Sequence, residues 1–326
     1  MDGKATAIAH PIQGIVKYHG MRDERLRLPY HDSISVCTAP THTITTVAFD
    51  QSLERDIYIV DDEEATGNAA NRIRTVIDRI RELAETETFV RFESESDFPT
   101  NVGLGSSSSG FAAAAVAAGA AADLELSPAA LSAVARRGSA SAARAVTGGF
   151  SLLTGGATDA DCQSTRLPTP LDDEVRIVVG LVPAFKETAQ AHEEAAESHM
   201  FDARLAHIHH QLADARAALR EGSFEHLFAL AEHDSRSLAA TTMTGPAGWI
   251  YWRPETLDIF RAVRQLREEE DVPVYYSTDT GATVYVNTTA EHVERVEQSI
   301  SACGVDTRVL KVGGPARVVD ESRALF

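Results

Sequence analysis

The stretch FPTNVGLGSSSSGFAAAAVAAGAAADL, residues 98–124, constrains the fold of this chain more than any other segment. Two glycines and four consecutive serines stand directly before a run of small apolar residues with high helix propensity. The preceding residues 88–96, TFVRFESES, alternate in the manner of a β-strand. A strand, a Gly/Ser-rich loop and a buried helix in this order direct backbone N–H groups to one point at the positive end of a helix dipole. The order predicts an anion-binding loop, with a flexible linker or a buried structural turn as alternatives.

The loop supplies both backbone and hydroxyl groups to a phosphate. Gly103 and Gly105, on either side of Leu104, would let the backbone approach a phosphate closely. The four serines would offer hydroxyls to phosphate oxygens or to Mg²⁺; they are Ser106, Ser107, Ser108 and Ser109. Because the pattern GxxxxGK[ST] is absent from the sequence, the loop is not of the Walker type.

Composition narrows the possible functions. The 326 residues carry a formal charge of −18 with only four lysines, which argues against general nucleic-acid binding. Such a surface suits a protein that stays hydrated at high salt, although an ordinary acidic cytoplasmic enzyme is the alternative. The three cysteines are isolated and form no zinc-site spacing, and no apolar run is long enough to span a membrane. We therefore expect a cytoplasmic protein without membrane contact and predict no metal-ligating residues.

The length suits two packed domains of mixed α and β structure. Residues 1–60 favour β-strands, residues 68–85 have helix periodicity, and Ser127-Pro128 predicts a helix start. Further elements are predicted as a buried strand at 175–182, helices at about 188–220, 223–240 and 254–269, two strands flanking 279–281, a helix at 290–302 and a strand at 306–312. The Pro- and acid-rich segment LPTPLDDE favours a domain boundary near it, and we divide the chain into residues 1–178 and 179–326.

The segment ARRGSASAARAVTGGF, residues 135–150, forms a second polar constellation. Ser139 is predicted as the N-cap of a small-residue helix, and Ser141 and Arg144 lie three residues apart on one face. An arginine among alanines is costly to bury unless an anion meets its guanidinium group. The alternative is that Arg144 is a solvated helix residue.

Two further segments bring polar groups next to apolar strands. Asp279 lies in YYSTDTGATVYV, where a carboxylate with a chemical role and an ordinary hairpin-turn residue are both possible. The segment IVKYHGMRDERLRLP contains Lys17, Tyr18, His19, Arg22 and Arg25, a basic cluster in a very acidic chain. Its alternative interpretation is a solvated hairpin tip.

Taken together, these segments resemble the GHMP kinase superfamily and, within it, the mevalonate diphosphate decarboxylase family. FPTNVGLGSSSSGFAAA resembles the family's phosphate loop, and GSASAARAVTGGF resembles its substrate helix. STDTGATV resembles the segment Phe-Asp-Ala-Gly-Pro-Asn-Ala, and IVKYHGMRD resembles the opening Ile-Lys-Tyr-Trp-Gly-Lys-Arg-Asp. The resemblance runs from about residue 5 to residue 310.

This resemblance implies an α+β GHMP kinase fold, with an N-terminal domain like ribosomal protein S5 domain 2 and a ferredoxin-like C-terminal domain. It implies ATP and Mg²⁺ as co-substrate and cofactor, a mevalonate phosphate ester as the small-molecule substrate, and loss of CO₂ and phosphate. By position, the loop from Gly103 to Ser109 holds ATP phosphates, and Ser139, Ser141 and Arg144 hold the substrate. Asp279 lies beside the 3-hydroxyl, and Lys17 and Tyr18 reach the phosphorylated end. We also expect a homodimer.

The sequence departs from the family pattern at two places near the substrate phosphate. Met21 stands where the family has a lysine, and Lys186, Glu187 and Thr188 stand where the diphosphate enzymes carry a Ser-Arg pair. Fewer cations favour 5-phosphomevalonate as substrate and isopentenyl phosphate as product. The alternatives are a 5-diphosphomevalonate decarboxylase, a mevalonate-type kinase that does not decarboxylate, and a non-catalytic binding protein of this fold.

Overall fold

The computed structural model describes residues 2–99, 103–183, 192 and 194–326. Within these residues the chain forms sixteen β-strands, eight α-helices and three short 3₁₀ helices. None of the helices in this described part is both long and apolar enough to cross a lipid bilayer.

The strands fall into three sheets. In chain order they are β1 Gly3–Ala9, β2 Ile12–Val16, β3 Met21–Asp23, β4 Leu28–Pro29, β5 Ser33–Ala39, β6 Thr43–Phe49, β7 Ile57–Val60, β8 Glu63–Glu64, β9 Val90–Ser96, β10 Phe150–Leu153, β11 Ser164–Arg166, β12 Val175–Leu181, β13 Val274–Ser277, β14 Val284–Thr289, β15 Asp306–Val312 and β16 Arg317–Val318. The helices are α1 Gly67–Ala84, α2 Ser106–Ala121, α3 Pro128–Gly138, α4 Ala142–Thr147, α5 Phe201–Glu221, α6 Phe224–Met243, α7 Pro254–Glu269 and α8 Val293–Ser301.

Helix α2 is buried on nearly all sides, which explains its alanine-rich sequence. It packs against β1 and β6 of a six-stranded sheet with the order β16-β1-β6-β9-β7-β8. The approach is close: a β-carbon on Gly3 would lie 2.1 Å from the carbonyl oxygen of Ala121. Because its small side chains are packed between this sheet and helices α1, α3 and α4, α2 has a fixed position and its N-terminus is held in place.

The second sheet connects the first part of the chain to the last. Its order is β11-β10-β5-β15-β12-β14-β13, with β2 also paired to β5. Helices α5 and α6 pack on one part of this sheet, and α7 and α8 pack on another. The hydroxyl of Ser277, at the end of β13, donates to the carbonyl oxygen of Gly14 in β2 at 3.2 Å. This contact brings the loop between β13 and β14 against the N-terminal part of the chain.

Most of the predicted elements are confirmed, with shifts at their ends. Ser127 is the N-cap of α3 and accepts a hydrogen bond from the backbone N–H of Ala130, as its sequence predicts. In the described part of the region expected to be one helix from about residue 188 to 220, a 3₁₀ helix at Glu194–Glu197 precedes the long helix α5. Residues 184–191 and 193, which include the substituted Ser-Arg pair, lie outside the described residues.

Two local predictions about the serines are wrong. The four serines after Gly105 form the first turn of α2 rather than part of a loop. Ser139 is not the N-cap of α4: its backbone is extended and its N–H donates to Ala135 O, so that it ends α3. Ser141 occupies the N-cap position of α4 instead. Only residues 139–141 connect the two helices, so the first serine ends α3 and the second begins α4.

The division at residues 178 and 179 falls within β12, which pairs on one side with β14 and on the other with β15. Strand β15 in turn pairs with β5, so the second sheet contains strands from both predicted segments. The two segments are therefore joined by continuous backbone hydrogen bonding.

Candidate active site

One cavity of about 310 Å³ collects most of the residues singled out in the sequence. It lies where the N-terminus of α2, the junction of α3 and α4, the end of β2 and the loop between β13 and β14 meet. The predicted residues that line it are Lys17, Tyr18, Gly103, Gly105, Ser106, Ser107, Ser108, Ser139, Ser141, Arg144 and Asp279. Four segments that are far apart in sequence are thus brought to a single site.

Leu104 and Ser109 belong to the same loop and helix but point away from the cavity. The side chain of Leu104 is buried in the core beneath the second sheet. The Ser109 hydroxyl lies 2.6 Å from that of Thr43 and donates to the carbonyl oxygen of Ser106. These two residues therefore fix the loop, while their neighbours face the cavity.

The N-terminus of α2 forms the anion-binding wall of the cavity. Gly103 and Gly105 have φ angles of +86° and +75°, in the left-handed region that favours glycine. Ser108 holds the turn, because its hydroxyl donates to Gly105 O at 2.6 Å and accepts from the N–H of Ile12 at 3.2 Å. Ser106 and Ser107 keep part of their surface accessible at the helix start. A helix N-terminus with this arrangement is suited to phosphate oxygens.

Arg144 is fully enclosed and faces the cavity from α4. Its side chain is 2% exposed, and its Nη1 donates to the hydroxyl of Ser33. Within the described residues, its Nε has no hydrogen-bond partner. Burial lowers the pKa of this guanidinium, and the charges of Tyr18 and Asp279 oppose that effect. A buried guanidinium that lines a cavity is suited to a ligand carboxylate.

Two aromatic rings and two serines line the cavity together with this arginine. The Tyr18 ring lies 5.3 Å from the Arg144 guanidinium carbon and stacks on His192 at 4.9 Å. The hydroxyls of Ser139 and Ser141 lie 2.8 Å apart and both face the cavity. The site thus combines a cation with hydroxyl groups that can donate to the same anion.

Lys17 is held by a buried charge network. Its ammonium group lies 3.6 Å from Asp234 Oδ2 and 3.2 Å from the hydroxyl of Ser235, both on α6. On the other side of Asp234, Arg204 Nη2 lies 2.9 Å from Oδ1 and donates to Lys17 O at 2.6 Å. Burial lowers the pKa of Lys17, and Asp234 and Asp279 counteract it. The solvated-tip interpretation is therefore wrong for Lys17 and for the fully buried His19, whereas it fits the exposed Arg25.

Asp279 lies in the loop between β13 and β14 and faces the cavity. Both Asp279 Oδ1 and Lys17 Cγ lie against Gly14, at 2.8 and 2.6 Å from where a β-carbon would sit. The residue before Asp279 is held in place, because the N–H of Thr278 donates to the hydroxyl of Ser235 at 3.1 Å. The residue therefore belongs to a hairpin connection, but its carboxylate contributes to the cavity. An acceptor at this point can orient a hydroxyl group or take its proton.

The fold brings two further arginines to the site that the sequence did not predict there. Arg27 and Arg72 line the cavity, and together with Lys17 and Arg144 they place four cations there. Asp279 is the one carboxylate in the described lining. In a chain with a net charge of −18, this excess of cations marks an anion-binding cavity. Arg27 lies within the basic segment IVKYHGMRDERLRLP, so its charge could have indicated a place in the site. Arg72 lies in a helix whose sequence pattern does not distinguish it from the other arginines there.

Across the described residues, no cluster of three or more His, Cys, Asp or Glu side chains could hold a metal ion by itself. Magnesium usually keeps several waters and binds with substrate phosphates. The hydroxyls of Ser106 and Ser107, at the phosphate-binding wall, therefore fit a magnesium ion that arrives with a nucleotide.

Comparisons with known proteins agree with this geometry. A family model described as the diphosphomevalonate decarboxylase-like N-terminal domain matches residues 9–164. The chain is 64% identical to the phosphomevalonate decarboxylase of Haloferax volcanii over 99% of this chain and 100% of that protein.

Solved structures give the same result for the fold. Mevalonate diphosphate decarboxylase from Staphylococcus aureus has a TM-score of 0.93 at 26% identity, covering 98% of this chain and 99% of that chain. A structure described as MDDEF in complex with MVAPP, AMPPCP and magnesium has a TM-score of 0.92 at 26% identity, covering 98% of this chain and 100% of that chain. The mixed α and β fold predicted from the sequence is confirmed at this level as the GHMP-type fold of these decarboxylases.

Proposed function

The chain belongs to the diphosphomevalonate decarboxylase-like family, and from this premise we propose that it converts 5-phosphomevalonate and ATP into isopentenyl phosphate, ADP, phosphate and CO₂. The observation that carries the proposal is the single cavity in which Asp279, Arg144 and the N-terminus of α2 meet. These three features supply an acceptor for a hydroxyl, a partner for a carboxylate and a site for phosphates.

Asp279 acts on the tertiary 3-hydroxyl in this proposal. A tertiary alcohol is a poor leaving group until it is phosphorylated, and the carboxylate orients it or accepts its proton during phosphoryl transfer. When the C–O bond to the new phosphate breaks, the negative charge of Asp279 stabilises the positive charge that develops on the carbon. The ammonium group of Lys17, held by Asp234, lies near this carboxylate, and the charge of Asp279 counteracts the effect of burial on the pKa of Lys17.

Arg144 holds the substrate carboxylate. Its planar guanidinium fork suits a bidentate contact, which aligns the C–C bond with the departing phosphate. The electrons of that bond then form the new double bond as CO₂ leaves. Ser139 and Ser141 donate to the same end of the substrate, and Tyr18 and Lys17 remain the candidates for the phosphorylated end.

The N-terminus of α2 binds the phosphates of ATP through Gly103, Gly105 and the serines of its first turn. Magnesium bound with ATP offsets phosphate charge, as in other phosphoryl transfers. The relatives named as mevalonate diphosphate decarboxylases favour the diphosphate ester as the alternative substrate. Met21 in the cavity lining, where the family has a lysine, supports the monophosphate.

The finer features of the assignment are part of the same proposal. We propose a first domain like ribosomal protein S5 domain 2 at residues 1–178, a ferredoxin-like domain at 179–326, a cytoplasmic location and a homodimer. The dimer is tested by light scattering of the purified chain, for which a monomeric mass at micromolar concentration would contradict it.

The activity is tested with 5-phosphomevalonate labelled at its carboxyl carbon, together with ATP and Mg²⁺. We expect labelled CO₂, ADP, phosphate and isopentenyl phosphate in equal amounts, and loss of CO₂ release in Asp279→Asn. Formation of ADP without CO₂ would instead identify a kinase. No ATP consumption with any mevalonate ester would identify a binding protein.

A further inference from the structure

Two arginines that have no role in the proposed function, Arg27 and Arg72, face the same cavity. Arg27 stands at the tip of the hairpin formed by β3 and β4, and Arg72 stands in the second turn of α1. Both are held from behind by the C-terminal end of α3: Arg27 Nε donates to Arg137 O at 3.2 Å, and Arg72 Nε donates to Gly138 O at 2.9 Å. The negative end of the α3 dipole thus anchors both groups.

The surroundings of Arg72 leave its charge unbalanced by protein groups. Its guanidinium stacks 4.7 Å above the ring of Phe111, and Gly138 makes room for that ring, because a β-carbon there would lie 2.3 Å from Phe111 Cδ1. Burial and then the charge of Arg27 lower the pKa of Arg72 to about 10. Within the described residues, no ion pair joins Arg27 or Arg72 to a carboxylate. Two like charges held together in this way are stabilised by an anion in the cavity.

The backbone of Arg27 indicates that the hairpin turn holds this residue in a fixed position. Its φ is +51°, in the left-handed region, which non-glycine residues adopt at a cost. The turn is closed by the carboxylate of Asp23, which accepts from the N–H of Leu26 at 2.8 Å, and by the N–H of Arg27 itself, which donates to Glu24 O at 3.3 Å. The hairpin also carries Met21 into the cavity lining, so Arg27 and the position where the family has a lysine lie on one element.

We infer that Arg27, beside Arg72, binds the 5-phosphate of the substrate and thereby determines that a phosphomonoester is accepted. The inference rests on the proposed function. The phosphate could in principle belong to either substrate, the ester or the nucleotide. The ester is favoured because the N-terminus of α2 already offers a separate phosphate site, whereas Arg27 shares its hairpin with Met21.

The test compares Arg27→Asn with Arg25→Asn. Asparagine tolerates a left-handed backbone better than most residues, so the turn is kept while the charge is removed. Arg25 is the matched control, since it is exposed in the same hairpin and does not line the cavity. We expect the KM for 5-phosphomevalonate to rise roughly ten- to a hundredfold in Arg27→Asn, as for the loss of one charge-assisted hydrogen bond. The KM of Arg27→Asn for ATP should stay near that of the unmodified chain. In Arg25→Asn, the KM for 5-phosphomevalonate and the KM for ATP should both stay near those of the unmodified chain.

A binding measurement separates this inference from the proposed reaction. Calorimetry without nucleotide gives the affinities for 5-phosphomevalonate and for mevalonate, which lacks the phosphate. Arg27→Asn should lose most of the preference for the phosphorylated ligand, and Arg27→Lys, which keeps the charge, should restore part of it. A rise in the KM for ATP alone, or equal effects of Arg27→Asn and Arg25→Asn on affinity, would overturn the inference. If the unmodified chain binds the ester but releases no CO₂, the proposed function fails while the role of Arg27 in binding stands.

Discussion

Replacing Asp234 with asparagine would leave two buried cations without their shared counter-ion. Asp234 is 0% exposed and lies 3.6 Å from the ammonium group of Lys17 and 2.9 Å from Arg204 Nη2. Removing one partner of a buried ion pair costs about 3–5 kcal/mol. Since the whole free energy of unfolding of a typical domain is about 5–15 kcal/mol, this is a large share. We expect Asp234→Asn to lower the free energy of unfolding by about 3–5 kcal/mol.

Urea denaturation at pH 7 measures this loss, with Asp214→Asn as the control because Asp214 is exposed on the neighbouring helix α5. The control should change the free energy of unfolding by less than about 0.5 kcal/mol. Burial already holds the pKa of Lys17 below its usual value, and the variant loses the carboxylate that opposes this. The stability of Asp234→Asn should therefore recover as the pH rises toward the unfolded lysine pKa of about 10.4. A loss of less than about 1 kcal/mol would refute the assignment of a buried charge network.

Three catalytic substitutions and a salt dependence test the rest of the site. Asp279→Asn should fold and bind ATP but lose decarboxylation by about 10²–10⁴-fold, and retention of a tenth of the turnover would contradict its role. Gly14→Ala puts a methyl group 2.6 Å from Lys17 Cγ and 2.8 Å from Asp279 Oδ1, so turnover should fall by about 10²-fold, whereas Gly110→Ala, with open space around it, should not change it. Arg144→Met should reduce kcat/KM severely, and a change in Tm alone would make the residue structural. Activity and Tm should rise between about 0.1 M and about 1 M KCl as self-repulsion is screened, and constant values would remove the salt-adaptation interpretation.

The sequence alone predicted the features that depend on interactions between residues close together in the chain. The alanine-rich stretch predicted a buried helix, and Ser127 and Pro128 predicted the start of α3, because propensity and capping act over a few residues. The cavity-facing positions of Arg144 and Asp279 agree with the roles that the family resemblance implied, whereas spacing alone had left a solvated helix residue and an ordinary turn residue as alternatives. Ser139 was misassigned as an N-cap, because a serine near a helix end can belong to either of two adjacent helices.

Long-range pairing was not accessible from one sequence. Lys17 meets Asp234 across 217 residues, and the hydrogen bond from Arg204 to Lys17 O spans 187. Nothing in the local pattern of α6 distinguishes Asp234 from the other acidic residues of a very acidic chain. Arg72 likewise reaches the cavity only because α1 packs against α3. Such contacts are set by how the helices pack on the sheets, which residue patterns do not determine.

The central claim is that the chain decarboxylates the monophosphate ester of mevalonate. The most direct measurement is kcat/KM for CO₂ release from 5-phosphomevalonate and from 5-diphosphomevalonate, under identical ATP, Mg²⁺ and salt conditions. The two departures from the family pattern, at Met21 and at Lys186-Glu187-Thr188, predict a preference of roughly a thousandfold for the monophosphate if Lys17, Arg22 or Lys186 does not replace the lost contacts. Equal or better use of the diphosphate would contradict the claim and identify a diphosphate decarboxylase.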